Sequence, residues 1–180
     1  TQPLTLGSEV SGAISVTGEQ DRYTFSLAAA SQLYFDSETN SASFRWTLAG
    51  PAGTAVNARN FNEGETNSSV LNLPAGDYTL TVDGAVDATG PYAFRLSALS
   101  SATPLTPGTP VAGTFSPGNE SDLYSFTASA GDRFFFDQQG RTGNAARWRL
   151  IDPYGNALFN AFFDSSASDV DTLAIAQPGT

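Results

Sequence analysis

The sequence predicts an all-β protein: two tandem antiparallel β-sandwich domains, jelly-roll-like, the second lacking its last two strands. Three observations carry that expectation. The chain repeats itself within its 180 residues. Its apolar residues alternate in short runs bounded by Gly, Pro, Ser, Asn and Asp. No stretch keeps a 3.6-residue apolar period long enough for a helix.

The repeat is the strongest of the three. Pro3-Leu4-Thr5-Leu6-Gly7 returns as Pro104-Leu105-Thr106-Pro107-Gly108, an offset of 101 residues. At that offset Val10 and Gly12 meet Val111 and Gly113. Glu19, Asp21, Tyr23 and Phe25 meet Glu120, Asp122, Tyr124 and Phe126, and Asp36 meets Asp137. One inserted residue then aligns Arg45-Trp46 and Leu48 with Arg147-Trp148 and Leu150, and Leu71 and Leu73 with Leu173 and Ile175. Pro74-Ala75-Gly76 falls against Gln177-Pro178-Gly179, so Thr180 corresponds to Asp77. The domains are accordingly residues 1–99 and 104–180, joined by a polar linker at 100–103.

In the first copy the alternation predicts strands near 10–16, 22–27, 32–36, 44–48, 55–59, 69–73, 78–83 and 92–98. In the second it predicts strands near 110–116, 122–127, 133–137, 147–151, 157–163 and 171–176. Tyr78, Leu80 and Val82 share one face of their strand, and Tyr92, Phe94 and Leu96 one face of theirs. Neither strand has a counterpart in the second copy. Spacing of roughly 8–12 residues suits a sandwich or a jelly roll.

Composition narrows the function. The chain contains no Cys, Met or His, and its eight basic residues are all Arg. That removes Ser-His-Asp and Cys-His nucleophiles, the usual zinc ligands, Schiff-base lysines and the P-loop. A chain without cysteine folds without redox help, a bias shared with many bacterial exoproteins. A net charge of −10 and a pI near 4.1 argue against nucleic acid, which needs basic surface. No apolar run approaches a membrane span, so membrane insertion is not expected. The chain opens Thr1-Gln2-Pro3-Leu4 without a signal-peptide pattern, as a mature or excised piece would.

The ordered motifs resemble the bacterial pre-peptidase C-terminal domain family. They are Gly7 to Ile14, Asp21-Arg22-Tyr23-Thr24-Phe25, Gly50-Pro51-Ala52-Gly53, Pro74 to Val82 and Tyr92 to Leu96. The second copy carries Asp122-Leu123-Tyr124-Ser125-Phe126, Asp152-Pro153-Tyr154-Gly155 and Pro178-Gly179. The resemblance implies a β-sandwich of secreted and cell-surface proteins, recruited for non-catalytic work. It therefore implies an extracellular location.

Candidate sites follow, each with its bland counterpart. Glu19, Asp21, Asp36, Glu120, Asp122 and Asp137 are candidate Ca²⁺ ligands, with Asp169 and Asp171 as outliers, because Ca²⁺ takes six to eight oxygens from acidic loops. The competing reading is turn and strand-start carboxylates that accept local N–H bonds. Trp46 and Trp148 beside Arg45 and Arg147 fit a sugar-stacking platform, yet alternation with Leu48 and Leu150 places them on the core face. Phe135, Phe159, Phe162 and Phe163 form a candidate ligand or interface patch, since alternation cannot bury both faces of Phe134-Phe135-Phe136. Asn67-Ser68-Ser69 and Asn119-Glu120-Ser121 match the glycosylation pattern and mark exposed loops. No Asp-Thr-Gly pair is present, and the prominent acids repeat in structural positions.

The expected function is a non-catalytic spacer of a larger bacterial secreted or surface protein. Its expected partners are neighbouring modules of a longer chain or other subunits. Two alternatives stand beside it: a carbohydrate-, matrix- or calcium-binding adhesive module, and an assembly subunit completed by a donated strand.

Overall fold

A computed structural model describes residues 1–63, 70–144, 146–163 and 169–180. By contacts the chain divides into unit 1, Thr1–Thr103 with Pro110–Tyr124, and unit 2, Pro104–Thr109 with Ser125–Thr180.

Unit 1 realises all eight strands the alternation predicts for the first copy. After the short β1 (Gln2–Pro3) come β2 (Glu9–Ile14), β3 (Gln20–Leu27), β4 (Ser31–Ser37), β5 (Phe44–Gly50), β6 (Gly53–Asn60), β7 (Leu71–Leu73), β8 (Gly76–Gly84) and β9 (Gly90–Ala98). They form two sheets, ordered β1-β3-β8-β5-β6 and β2-β9-β4-β7. Each pairing is antiparallel except β1 with β3, which is parallel. Period-two alternation sends Tyr23, Phe25 and Leu27, Trp46 and Leu48, and Tyr78, Leu80 and Val82 inward from the first sheet. Ile14, Phe35, Tyr92, Phe94 and Leu96 meet them from the second. At the centre the Phe35 ring stacks on Trp46 at 4.0 Å and on Phe94 at 5.1 Å, with Phe61 edge-on. Each such fully buried side chain contributes about 1.5–3 kcal/mol.

β8 and β9 tie the sandwich together. β8 lies between β3 and β5, and β9 lies between β2 and β4. Gly76 enters β8 at φ 140°, where a Cβ would stand 2.7 Å from Pro51 Cγ. The Pro-Ala-Gly motif therefore needs glycine for backbone angle and for closeness.

The segment Pro110–Tyr124 belongs by sequence to the second copy and by contact to unit 1. It covers the outer face of β4, which explains why that strand is buried on both sides. Tyr34, Asp36 and Ser37 are buried alongside Leu33 and Phe35.

The expectation of a strand near 110–116 is corrected, because that stretch carries no strand. Its counterpart β2 pairs with β9, and among the described residues no strand pairs with 110–116. Residues 122–127 shrink to β11 (Tyr124–Ser125), since β3 leans on β8. Residues 100–103, read as a linker, are the end of a 3-10 turn (Leu99–Ser101) and the start of β10 (Thr103–Pro104). The β10–β11 pair repeats the β1–β3 pair, and Leu105 N donates to Ser125 O as Leu4 N does to Thr24 O, both at 2.8 Å.

In unit 2 the remaining strands are β12 (Arg133–Phe136), β13 (Ala146–Ile151), β14 (Ala157–Phe163) and β15 (Val170–Ala174). Among the described residues they pair as β12–β15 and β13–β14, the counterparts of β4–β7 and β5–β6. These are the pairings that need neither β8 nor β9. Small devices recur faithfully: Gly179, at φ 146°, sits against Pro153 as Gly76 sits against Pro51.

Candidate functional site

A group of charged side chains gathers in unit 1, under Pro110–Tyr124. Alternation that sends Phe35 inward sends Asp36 outward, and the ladder sets Asp36 opposite Arg95 of β9, with Glu9 of β2 on Arg95's other side. Glu38 follows the end of β4. Arg95 reaches Glu38 Oε1 at 3.1 Å through Nη2 and Glu120 Oε2 at 3.8 Å through Nη1. Ser121 N donates to Asp36 Oδ2 (2.9 Å), and Asn119 Nδ2 donates to the Ser37 carbonyl (3.0 Å). Asp36 Oδ1 is buried with no hydrogen-bond partner among the described residues.

Burial pushes the Asp36 carboxyl up from the ordinary range, outweighing the Ser121 hydrogen bonds and the Arg95 charge. Glu38 is raised by burial against Arg95, with Glu9, Asp36 and Glu120 adding repulsion. Asp122 is raised by burial and then by Glu120, while Arg95 opposes. The folded state thus holds protons that the unfolded chain has released. From the ordinary carboxylate range up to the raised values, stability falls as pH rises. Unit 1 should become more resistant to urea as pH is lowered through the raised values toward the ordinary carboxylate range, and Asp36→Asn should flatten that dependence. Denaturation midpoints across the interval check it; an unchanged slope in Asp36→Asn would remove this cluster as the cause.

The other sequence candidates are placed as follows. Glu19 Oε2 accepts Ser15 N (2.6 Å) and Val16 N (3.1 Å). Glu120 Oε1 repeats this by accepting Ser116 N at 2.8 Å. Asp21 Oδ2 accepts the Tyr92 hydroxyl at 2.5 Å, and Tyr92 and Tyr23 share a hydrogen bond at 2.7 Å. Burial, reinforced by both bonds, pushes the Tyr92 hydroxyl well up, so it stays protonated. Asp137 is exposed and accepts Gln139 Nε2 at 3.2 Å. Asp169 accepts Gln138 N at 2.9 Å, and Asp171 is exposed. Among the described residues, no group of three or more His, Cys, Asp or Glu could hold a metal ion. Asp36, Glu120 and Asp122 are brought together, but around Arg95.

The aromatic candidates separate by face. Phe135 and Phe162 are half exposed, at 54% and 50%, and the Arg147 guanidinium lies 3.9 Å from the Phe162 ring centre. Phe159 and Phe163 turn the other way and pack edge-on against Trp148 at 5.8 and 5.2 Å. Trp46 is fully buried, as the core reading expects. Asn67-Ser68-Ser69 lies outside the described residues, and Asn119-Glu120-Ser121 is engaged in the contacts above.

A shallow depression on β3 and β8 is lined by Thr24, Ser26, Asp77 and Thr79, and Ser26 Oγ donates to Asp77 at 2.5 Å. Arg95, Glu38 and Asn119 were missed as partners in the sequence, because nothing local to Asp36 announces a covering segment some 85 residues away.

No family model and no curated protein matches the chain. Among solved structures, 53% of this chain is similar to a Salmonella Typhimurium periplasmic inhibitor of g-type lysozyme, PliG, at 16% identity, 95% coverage of that chain and a TM-score of 0.39. A similar share, 53%, aligns with the pre-peptidase C-terminal domain of a collagenase from Bacillus anthracis at 20% identity, 93% coverage and a TM-score of 0.40. The latter is a member of the family whose motif order the sequence resembles. Neither likeness transfers a ligand, an activity or a residue role.

Proposed function

We propose that the chain is a non-catalytic structural module, a spacer within a larger extracellular protein. One observation carries the reading: carboxylates that repeat between the copies are engaged in building the fold. Glu19 accepts two backbone N–H groups of its turn, Glu120 accepts one in the matching turn, and Asp21 holds a buried tyrosine pair. Carboxylates so committed are poorly placed to ligate an ion or to move a proton for a substrate.

The reading predicts that Ca²⁺ leaves stability unchanged. A folded-state site supplied with ligand at 100 times its Kd would add about 2.7 kcal/mol. Melting curves in millimolar Ca²⁺ and in EDTA should therefore coincide, and a glycan array should stay blank. A Ca²⁺-dependent upward shift of several degrees, or saturable glycan binding, would overturn the spacer reading in favour of a binding module.

A further inference from the structure

We propose that Pro110–Tyr124 is a pH-operated strap: it stays latched over β4 while the carboxyl groups beneath it hold a proton, and it releases β4 as they ionise, leaving the sandwich of unit 1 folded. The way the strap is held favours such a release. From 110 to 123 the chain forms neither helix nor strand, and residues 110–118 are exposed throughout. Its apolar side chains do not anchor it, since Val111 and Phe115 are 52% and 42% exposed. The grip that the described residues show is polar and centres on three consecutive positions. Asn119 Nδ2 donates to the Ser37 carbonyl at 3.0 Å, and Ser121 N donates to Asp36 Oδ2 at 2.9 Å. Ser121 Oγ lies 3.3 Å from the Tyr34 hydroxyl, and Glu120 faces Arg95 at 3.8 Å. A segment with so little apolar burial belongs to the low-stability end of a fold and can open by itself.

The charges across that contact supply the control. The body of unit 1 contributes Asp36 and Glu38 at the end of β4 and Glu9 of β2, and the strap brings Glu120 and Asp122 against them. Arg95 of β9 is the guanidinium that faces them, while β7, on the other side of β4, contributes only Leu71, Asn72 and Leu73. One cation cannot balance so many carboxylates once all are ionised. Asp36 makes the imbalance acute. It is 2% exposed, and its Oδ1 has no hydrogen-bond partner among the described residues, so the ionised form loses its hydration there with little in return. Burial holds Asp36, Glu38 and Asp122 above the ordinary carboxylate range, and opening the strap returns them to water. The latched form therefore binds more protons than the released one. Release is favoured as pH rises from the ordinary carboxylate range through the raised values. The strap is thus the place where the pH dependence of unit 1 begins, whether or not the spacer reading is correct.

The test follows amide hydrogen exchange in the full chain across that pH range, each rate divided by the rate of an unstructured peptide at the same pH. At the acid end the Ser121 amide, which is bonded to Asp36, should be protected. Raising the pH should lower its protection by about tenfold or more, a tenfold change being the effect of one unit of raised carboxyl pKa. At the alkaline end it should exchange almost as an unstructured amide does, while residues 23–25 of β3 and 78–82 of β8 remain protected. Asp36→Asn should keep Ser121 protected to higher pH. Glu120→Gln, on the strap itself, should act in the same direction while keeping an acceptor for Ser116 N, and it decides the matter alone if Asp36→Asn does not fold. Protection at Ser121 that ignores pH would overturn the proposal. So would loss of protection at Ser121, β3 and β8 together, because the strap would then open only with the whole sandwich. A Glu120→Gln chain with the parent's pH profile would overturn it as well.

Discussion

Trp46→Ala should cost about 3–5 kcal/mol of unit 1's stability, whereas Trp148→Ala, the same substitution one repeat later, should cost about 1–2 kcal/mol. Trp46 is fully buried and stacked on Phe35, with the Arg59 guanidinium 5.4 Å from its ring centre. Truncation opens a cavity that neighbours on two well-packed sheets cannot close. Its indole Nε1 is buried with no hydrogen-bond partner among the described residues, so removing it relieves one unsatisfied donor and places the loss toward the lower end of the range. Trp148 keeps edge contacts with Phe136, Phe159 and Phe163 but is only half-buried, so less of its area leaves water on folding. Against a typical domain stability of about 5–15 kcal/mol, the first loss approaches unfolding and the second does not. Urea denaturation read by amide exchange in each unit separates the two. Equal losses would mean that the second copy already has a closed core.

What the sequence made legible was what is local and periodic. The eight strands of the first copy follow from alternation and turn residues, and Trp46 was assigned to the core because it alternates with Leu48. The glutamate turns at Glu19 and Glu120 were legible as a competing reading of the same acids, since a carboxylate four residues on in a turn can reach back to the N–H at its start. Non-local consequences were hidden. That residues 110–116 form no strand is not local either, since β2 in the first copy is held by β9, a partner about 80 residues away. That Asp36 is buried depends on Asn119 and Ser121 arriving from the next repeat. Alternation specifies which face a residue takes, not what will cover that face.

Gly12→Ala should destabilise unit 1 by about 2–4 kcal/mol, while Gly113→Ala, its match at the same offset, should lie within about 0.5 kcal/mol of the parent. Gly12 pairs with Tyr92 across β2 and β9. A Cβ there would stand 2.5 Å from Tyr92 Oη and 2.9 Å from Tyr23 Oη. Neither ring can retreat, since both are buried at 2% exposure and bonded to each other, and Tyr92 is bonded to Asp21 as well. The methyl group must therefore distort the packing, break a hydrogen bond to a carboxylate, or both. The usual gain of replacing glycine, about 0.4–1 kcal/mol from a stiffer unfolded chain, is too small to offset this. At Gly113 the nearest atoms are Asp122 Oδ2 at 3.3 Å and Tyr124 Oη at 3.4 Å, on side chains exposed enough to move by a few tenths of an ångström. The glycine, aspartate and tyrosine of the first copy's arrangement are all repeated, and only the counterpart of Tyr92 is missing among the described residues. A methyl group at Gly113 thus meets no buried tyrosine pair. Paired denaturation curves check the difference: a Gly113→Ala loss as large as that of Gly12→Ala would mean that Gly113 is as tightly enclosed as Gly12.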